Sequence, residues 1–260
     1  MRLILHAGFH KTGTSSIQNF LYQNKPTLSA EFRVLMRPKI KALCDCACGF
    51  SVNRNPLDQG LFLSEAAQAL SALDPADPRP VVISAEDLSG HTPGRHRLLS
   101  YAAAPALMQM LVQVADECLP GAELTFLFTT RDPESWLRSS YAQSLRATRQ
   151  RLGWAAYFAT LSPHADFGPV LDEIQPAVAP HHVFTAALED SQTHPLGPAT
   201  ALLDLMQPSD ALRAALVPVS PQNRKLPDPV LDALLQLNRS DLPKDEMRCR
   251  KADLITQALG

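Results

Sequence analysis

Along this chain, short runs of apolar residues alternate with longer stretches in which apolar positions recur every three or four residues. Four runs, residues 3–6, Val81–Ser84, 124–129 and 182–185, are rich in Val, Ile, Leu or Phe and end in polar or turn residues. That is the pattern of strands in a mainly parallel, buried sheet. Between them Ile17, Phe20, Leu21 and Asn24 share one helical face, as do Leu107, Leu111, Val114 and Cys118. After the third run, Asp132-Pro133 supplies an N-cap with proline at the first helical position, and Leu137, Tyr141 and Leu145 follow at four-residue spacing. A second Asp-Pro start at Asp228-Pro229 leads into Val230, Leu231, Leu234 and Leu235, and a last helix is predicted over Lys244–Leu259. Residues 36–60 show little periodicity and are expected to form a long loop. Strands alternating with helices predict an α/β fold of three layers. Its central sheet is mainly parallel and flanked by helices, its crossovers are right-handed, and its ligand lies at the carboxyl ends of the strands.

Composition narrows the function classes. The 260 residues suffice for one domain; 45% are apolar, 19% are charged and the net charge is −2, so a basic nucleic-acid binder is not expected. Pro, Gln, Asp or Lys interrupts every apolar stretch well short of the roughly 20 residues of a membrane helix, and no membrane span is expected. The start, Met-Arg-Leu-Ile-Leu-His, lacks the pattern of a signal peptide, and a reducing cytoplasm is the expected setting. Five cysteines fit it: the alternation Cys44, Cys46, Cys48 does not match the usual zinc hooks and reads as free thiols. No pattern fixes an oligomeric state.

The first strand runs straight into Gly8-Phe9-His10-Lys11-Thr12-Gly13-Thr14-Ser15-Ser16, and a helix follows at once. Strand, glycine turn and helix together cradle phosphate on backbone N–H groups, so the fold is expected to be P-loop-like. Where a nucleoside-triphosphate loop requires lysine there is Thr14, and the lysine has moved into the turn as Lys11. A cation there suits a phosphosulfate, where it can meet charge building on the leaving group. Thr12, Thr14, Ser15 and Ser16 offer hydroxyls and amides to the same phosphate. A degenerate kinase or ATPase loop is the rival reading, with Glu86 or Asp87 stretched to a magnesium-binding role.

The third strand ends at Thr130-Arg131-Asp132-Pro133, and Ser139 stands eight residues beyond Arg131. A strand-end arginine and a helical serine offer a fork and a hydroxyl to a terminal phosphate. The pairing of GFHKTGTSS with TTRDPESWLRSSY resembles the sulfotransferase superfamily that uses 3′-phosphoadenosine 5′-phosphosulfate, in particular its bacterial and Golgi-type branches. The resemblance spans most of the chain. It implies that Lys11, Thr12, Gly13, Thr14 and Ser15 hold the 5′-phosphosulfate and that Arg131 with Ser139 holds the 3′-phosphate. Asn223-Arg224-Lys225 would correspond to the family's third, variable basic contact.

The resemblance also implies an in-line transfer to a hydroxyl or amine acceptor, with Glu86 of Ser84-Ala85-Glu86 as base and no metal required. Asp87 is the fallback base, and His6, His10 and His91 are the histidine alternatives, His10 also being placed to orient Lys11 or the acceptor. Trp136, Trp154, Tyr157 and Phe158 are candidates for an acceptor pocket or for the core. Residues 36–60 and 146–180 are expected to shape that pocket. The acceptor is expected to be a carbohydrate, with lipid, small metabolite and peptide tyrosine left open. A non-catalytic nucleotide-binding protein is the alternative from a different class.

Overall fold

All four apolar runs are strands in the computed structural model, which describes residues 1–191, 193–219 and 225–259. They are β1 (Arg2–His6), β3 (Val81–Ser84), β4 (Glu123–Thr130) and β5 (His182–Ala187), joined by a fifth, β2 (Arg33–Met36). The sheet is parallel throughout, in the order β2-β3-β1-β4-β5, with Leu3 opposite both Val81 and Leu124. After β1 the chain crosses to the β2 side, and after β3 it returns past β1 to β4. Such a reversal opens a crevice at the carboxyl end of the strand where it happens, here β1.

Period-two alternation assigns the two faces of the sheet. Leu3, Leu5, Val81, Ile83, Phe126 and Phe128 point into a layer made by α3 (Lys41–Asn53), α4 (Pro56–Ser71), α5 (Ala104–Cys118), α6 (Pro133–Ala147) and α8 (Gly168–Ala177). Ile4, Val82 and Leu127 point the other way, into α1 (Thr14–Gln23), α2 (Lys25–Leu28), α9 (Ala199–Met206) and α10 (Asp210–Ala214). Two layers of helices on one parallel sheet make the three-layer α/β fold expected. The helix α7 (Trp154–Leu161) and the pair α11 (Asp228–Arg239) and α12 (Lys244–Leu259) pack on α6 and extend the first layer. Among the described residues, no helix is long and apolar enough to cross a membrane.

Residues 36–60 are not a long loop. Arg37–Lys39 is a 3₁₀ turn, α3 then fills Lys41–Asn53, and α4 begins at Pro56. Leu43, Cys44, Ala47, Cys48, Phe50 and Ser51 form the buried stripe of α3, so the alternating cysteines are helical, and two of them are core residues. Asn55 caps α4 by accepting from the Asp58 N–H at 2.9 Å, with Pro56 at the first helical position.

Candidate functional site

β1 ends at His6, and the turn after it is anchored at nearly every position. Phe9 is fully buried, its ring 4.6 Å from that of Tyr101 and stacked at 4.6 Å on Phe167. The buried Thr12 hydroxyl bonds the Phe9 carbonyl and, at 2.7 Å, the Thr129 hydroxyl at the end of β4. Trp136 Nε1 donates to the His10 carbonyl at 2.9 Å, and an Arg131 N–H donates to the Lys11 carbonyl at 3.2 Å. Lys11 and Gly13 take the left-handed conformation, with φ 70° and 99°. The turn thus presents the Lys11 side chain to the crevice and leaves α1 to start without a side-chain cap. Gly8 admits nothing larger, since a Cβ there would lie 2.9 Å from His6 Nε2, Thr129 Oγ1 and Thr14 Cγ2.

The crevice over this turn is a cleft of about 1170 Å³. Lys11, Gly13, Thr14, Ser15 and Ser16 line it from the loop, Glu86 and Asp87 from the 3₁₀ turn Glu86–Ser89 after β3, and Arg131 from the end of β4. Ser135, Ser139, Ala142 and Arg146 line it from one face of α6, which Asp132 caps by accepting from the Ser135 N–H at 2.8 Å. The residues read as donor-binding from the sequence therefore share one cleft, with three exceptions. Gly8 and Thr12 lie beneath it, where Thr12 locks the turn instead of offering its hydroxyl to a phosphate. Arg224 lies outside the described residues, together with Asn223, while Lys225 beside them lines the cleft.

The possible bases are placed differently. Glu86 accepts from Gln18 on α1 and lines the cleft near Lys11. Asp87 is engaged twice, by His10 Nε2 at 3.1 Å and by Arg37. Burial works against its ionisation, yet those hydrogen bonds outweigh it and hold the carboxyl at about 2, a poor proton acceptor. His10 has both ring nitrogens occupied, Nε2 by Asp87 and Nδ1 by the Tyr101 hydroxyl at 3.1 Å, and so ties the loop to the 3₁₀ turn. His6 is fully buried on Ser84 at 2.8 Å, and burial pushes it down to about 4. His91 packs against His96, ring to ring at 4.6 Å, and burial and that neighbour lower it too.

Several cleft residues carry no motif. Arg37, Arg95, Arg138 and Arg146 add four guanidiniums to Lys11 and Arg131. The Lys11 amine is held below the usual lysine range, first by burial and then by the nearby Arg146 and Arg131, while Glu86 pulls the other way. Of the four aromatic residues considered, Trp136 and Tyr157 are core, each 1% exposed, while Trp154 lines the cleft with the Arg138 guanidinium 4.8 Å from its ring centre. Only the helical spacing of 135, 139, 142 and 146 could have singled out Arg146, and the register of α6 had to be known first.

No known protein family, curated protein or solved structure matches this chain. A parallel-strand crevice, an uncapped helix start, a left-handed lysine and an excess of guanidiniums together suit a ligand with more than one anionic group.

Proposed function

We propose that the chain is a sulfotransferase that moves a sulfuryl group from 3′-phosphoadenosine 5′-phosphosulfate to a hydroxyl or amine acceptor. The observation that carries this reading is the placement of Lys11, the Arg131–Ser139 pair and Glu86 in one cleft. The donor supplies a sulfuryl group already activated by its phosphate leaving group. The N-terminal amides of α1 and the hydroxyls of Thr14, Ser15 and Ser16 hold the 5′-phosphate, and Arg131 with Ser139 holds the 3′-phosphate. Lys11 stabilises charge at the breaking S–O bond. Glu86 takes the acceptor proton as the acceptor oxygen or nitrogen bonds to sulfur, and the bridging electron pair leaves with the 5′-phosphate. Asp87 is unsuited to that role because Arg37 and His10 already hold its carboxylate.

Two features of the chain support this donor over a nucleoside triphosphate. Thr14 stands where a triphosphate loop has lysine, and the carboxylate of Asp87 is spent on a cation and an imidazole. The test is calorimetric titration with adenosine 3′,5′-bisphosphate, ADP, and ATP plus magnesium. The bisphosphate is expected to bind at least about tenfold tighter than ADP, about 1.4 kcal/mol, which one charge-assisted contact can supply. Equal affinities, or tighter binding of ATP with magnesium, would overturn the reading.

A further inference from the structure

Two of the cleft's guanidiniums have no side-chain partner among the described residues. Arg37 is paired with Asp87 and Asp45, and Arg138 with Glu134. Arg131 bonds the Lys11 carbonyl and lies near Glu189 and Asp132. By contrast Arg95 and Arg146 make no side-chain hydrogen bond or ion pair among the described residues, and both line the cleft. They come from separate parts of the chain. Arg146 is in the last turn of α6, two helical turns beyond Ser139, or about 10.5 Å along the axis. Arg95 sits in the loop between β3 and α5, and both guanidiniums lie close enough to Lys11 to disfavour its protonation.

The loop that holds Arg95 is unusual in itself. Gly94, His96 and Arg97 all have positive φ, at 88°, 49° and 63°, and the last two are not glycine. Left-handed backbone at such residues costs of order 1 kcal/mol each and persists only where its surroundings impose it. Here the loop is closed by the Gly94 N–H on the Leu98 carbonyl at 2.8 Å and by the Leu98 N–H on the Arg95 carbonyl at 2.8 Å. Gly94 lies against the Tyr157 ring, and a Cβ there would stand 3.1 Å from its hydroxyl. A strained, closed loop thus carries a cation that lines the cleft, where like charges already gather.

We propose that Arg95 and Arg146 form a second anion subsite, which takes a carboxylate, phosphate or sulfate carried by the acceptor. Combined with the sulfuryl-transfer reading on which it rests, the acceptor is an anionic hydroxyl or amine compound held by its charge beside Glu86. A neutral acceptor leaves both guanidiniums without a counter-charge.

The probe is inorganic phosphate, titrated into the protein already saturated with 3′-phosphoadenosine 5′-phosphosulfate so that the phosphate and sulfuryl positions of the loop are filled. Phosphate is expected to bind once per chain. Arg95→Ala and Arg146→Ala should each weaken that binding at least tenfold, Arg95→Lys should restore most of it, and donor affinity should change less than threefold in all three. No phosphate binding to the loaded protein, or binding unchanged by Arg95→Ala, overturns the subsite. Donor affinity falling in the arginine variants as far as in Arg131→Ala also overturns it, because both arginines then belong to the donor. If the donor itself does not bind, phosphate is titrated into the free protein. Binding lost in Arg95→Ala but kept in Arg131→Ala then retains the subsite and discards the sulfuryl-donor reading, and any other pattern discards both.

Discussion

The two sides of the cleft are built on different principles. On the loop side, the turn is fixed through side-chain contacts at single positions: His6 on Ser84, Thr12 on Thr129, His10 between Tyr101 and Asp87. On the α6 side, Ser135, Ser139 and Arg146 are placed by helical geometry, while the rest of α6 buries Trp136, Leu137, Ser140 and Leu145. A turn has no repeating hydrogen bonds of its own and must obtain rigidity from side chains. A helix brings its rigidity with it. Substitutions beneath the loop are therefore expected to alter stability and chemistry together, whereas those on the exposed face of α6 alter binding alone.

The largest expected effect tests whether Glu86 belongs to the chemistry or to the scaffold beside it. Glu86→Gln keeps the side-chain shape and a partner for Gln18 but cannot accept a proton. Turnover should fall roughly 10²-fold or more, with affinity for adenosine 3′,5′-bisphosphate near normal. Wild-type turnover in this variant excludes Glu86 as base, and lost affinity makes it part of the loop's scaffold.

Next comes the buried histidine under the loop. Its folded pKa of about 4 lies below that of an unfolded histidine, about 6.5, so the unfolded chain binds more protons between those values. Stability from keeping His6 neutral is whole above about pH 6.5, declines as the pH falls towards 4, and levels off below; the full span is on the order of 3 kcal/mol. His6→Asn retains a polar group for Ser84 and does not titrate. Urea unfolding across that pH range should show a shallower decline for the variant than for the natural chain, and parallel curves would remove His6 from the account.

Arg131→Ala should abolish the preference for the 3′-phosphate, a loss of about tenfold or 1.4 kcal/mol, while circular dichroism stays unchanged. A variant that keeps the preference would assign the clamp elsewhere. Smallest of all is an effect behind α6. The Lys251 ammonium, on a residue 6% exposed, donates to the Leu145 and Thr148 carbonyls at 2.7 and 2.8 Å and so caps the end of α6. Asn238 also bonds Leu145, so Lys251→Met should cost only about 1 kcal/mol, or roughly 2–4 °C in Tm, with nucleotide affinity within about twofold. A large fall in affinity would contradict the self-sufficiency of the helix side.

The same contrast governs what could be read without coordinates. Four of five strands were legible as apolar runs; the three apolar residues of β2, Val34-Leu35-Met36, stand between Arg33 and Arg37, where the loop expected over residues 36–60 begins, and they lie half-buried at the sheet edge. The α3 stripe was hidden because Cys44, Cys48 and Ser51 stand where leucine would have declared a helix. In the site, the residues named by their spacing in the loop and on α6 do meet. Sequence could not separate Thr12, which faces inward, from Thr14, which borders the cleft, because both follow from the path of a turn held by Phe9. Arg95 was illegible for a related reason: its place depends on a loop of unusual backbone that no local motif announces.

The α6 helix also acts as a ruler. Ser139 and Arg146 are set apart by two turns to within about 20°, so the two groups they are proposed to hold are spaced by counting residues, not by flexible fitting. Exchanging side chains at either mark changes what is gripped and leaves the interval intact. Removing one residue between them swings Arg146 through about 100° and shortens the interval by about 1.5 Å, turning the outer mark away from the cleft. The stretch between those marks should therefore vary in composition far more freely than in length.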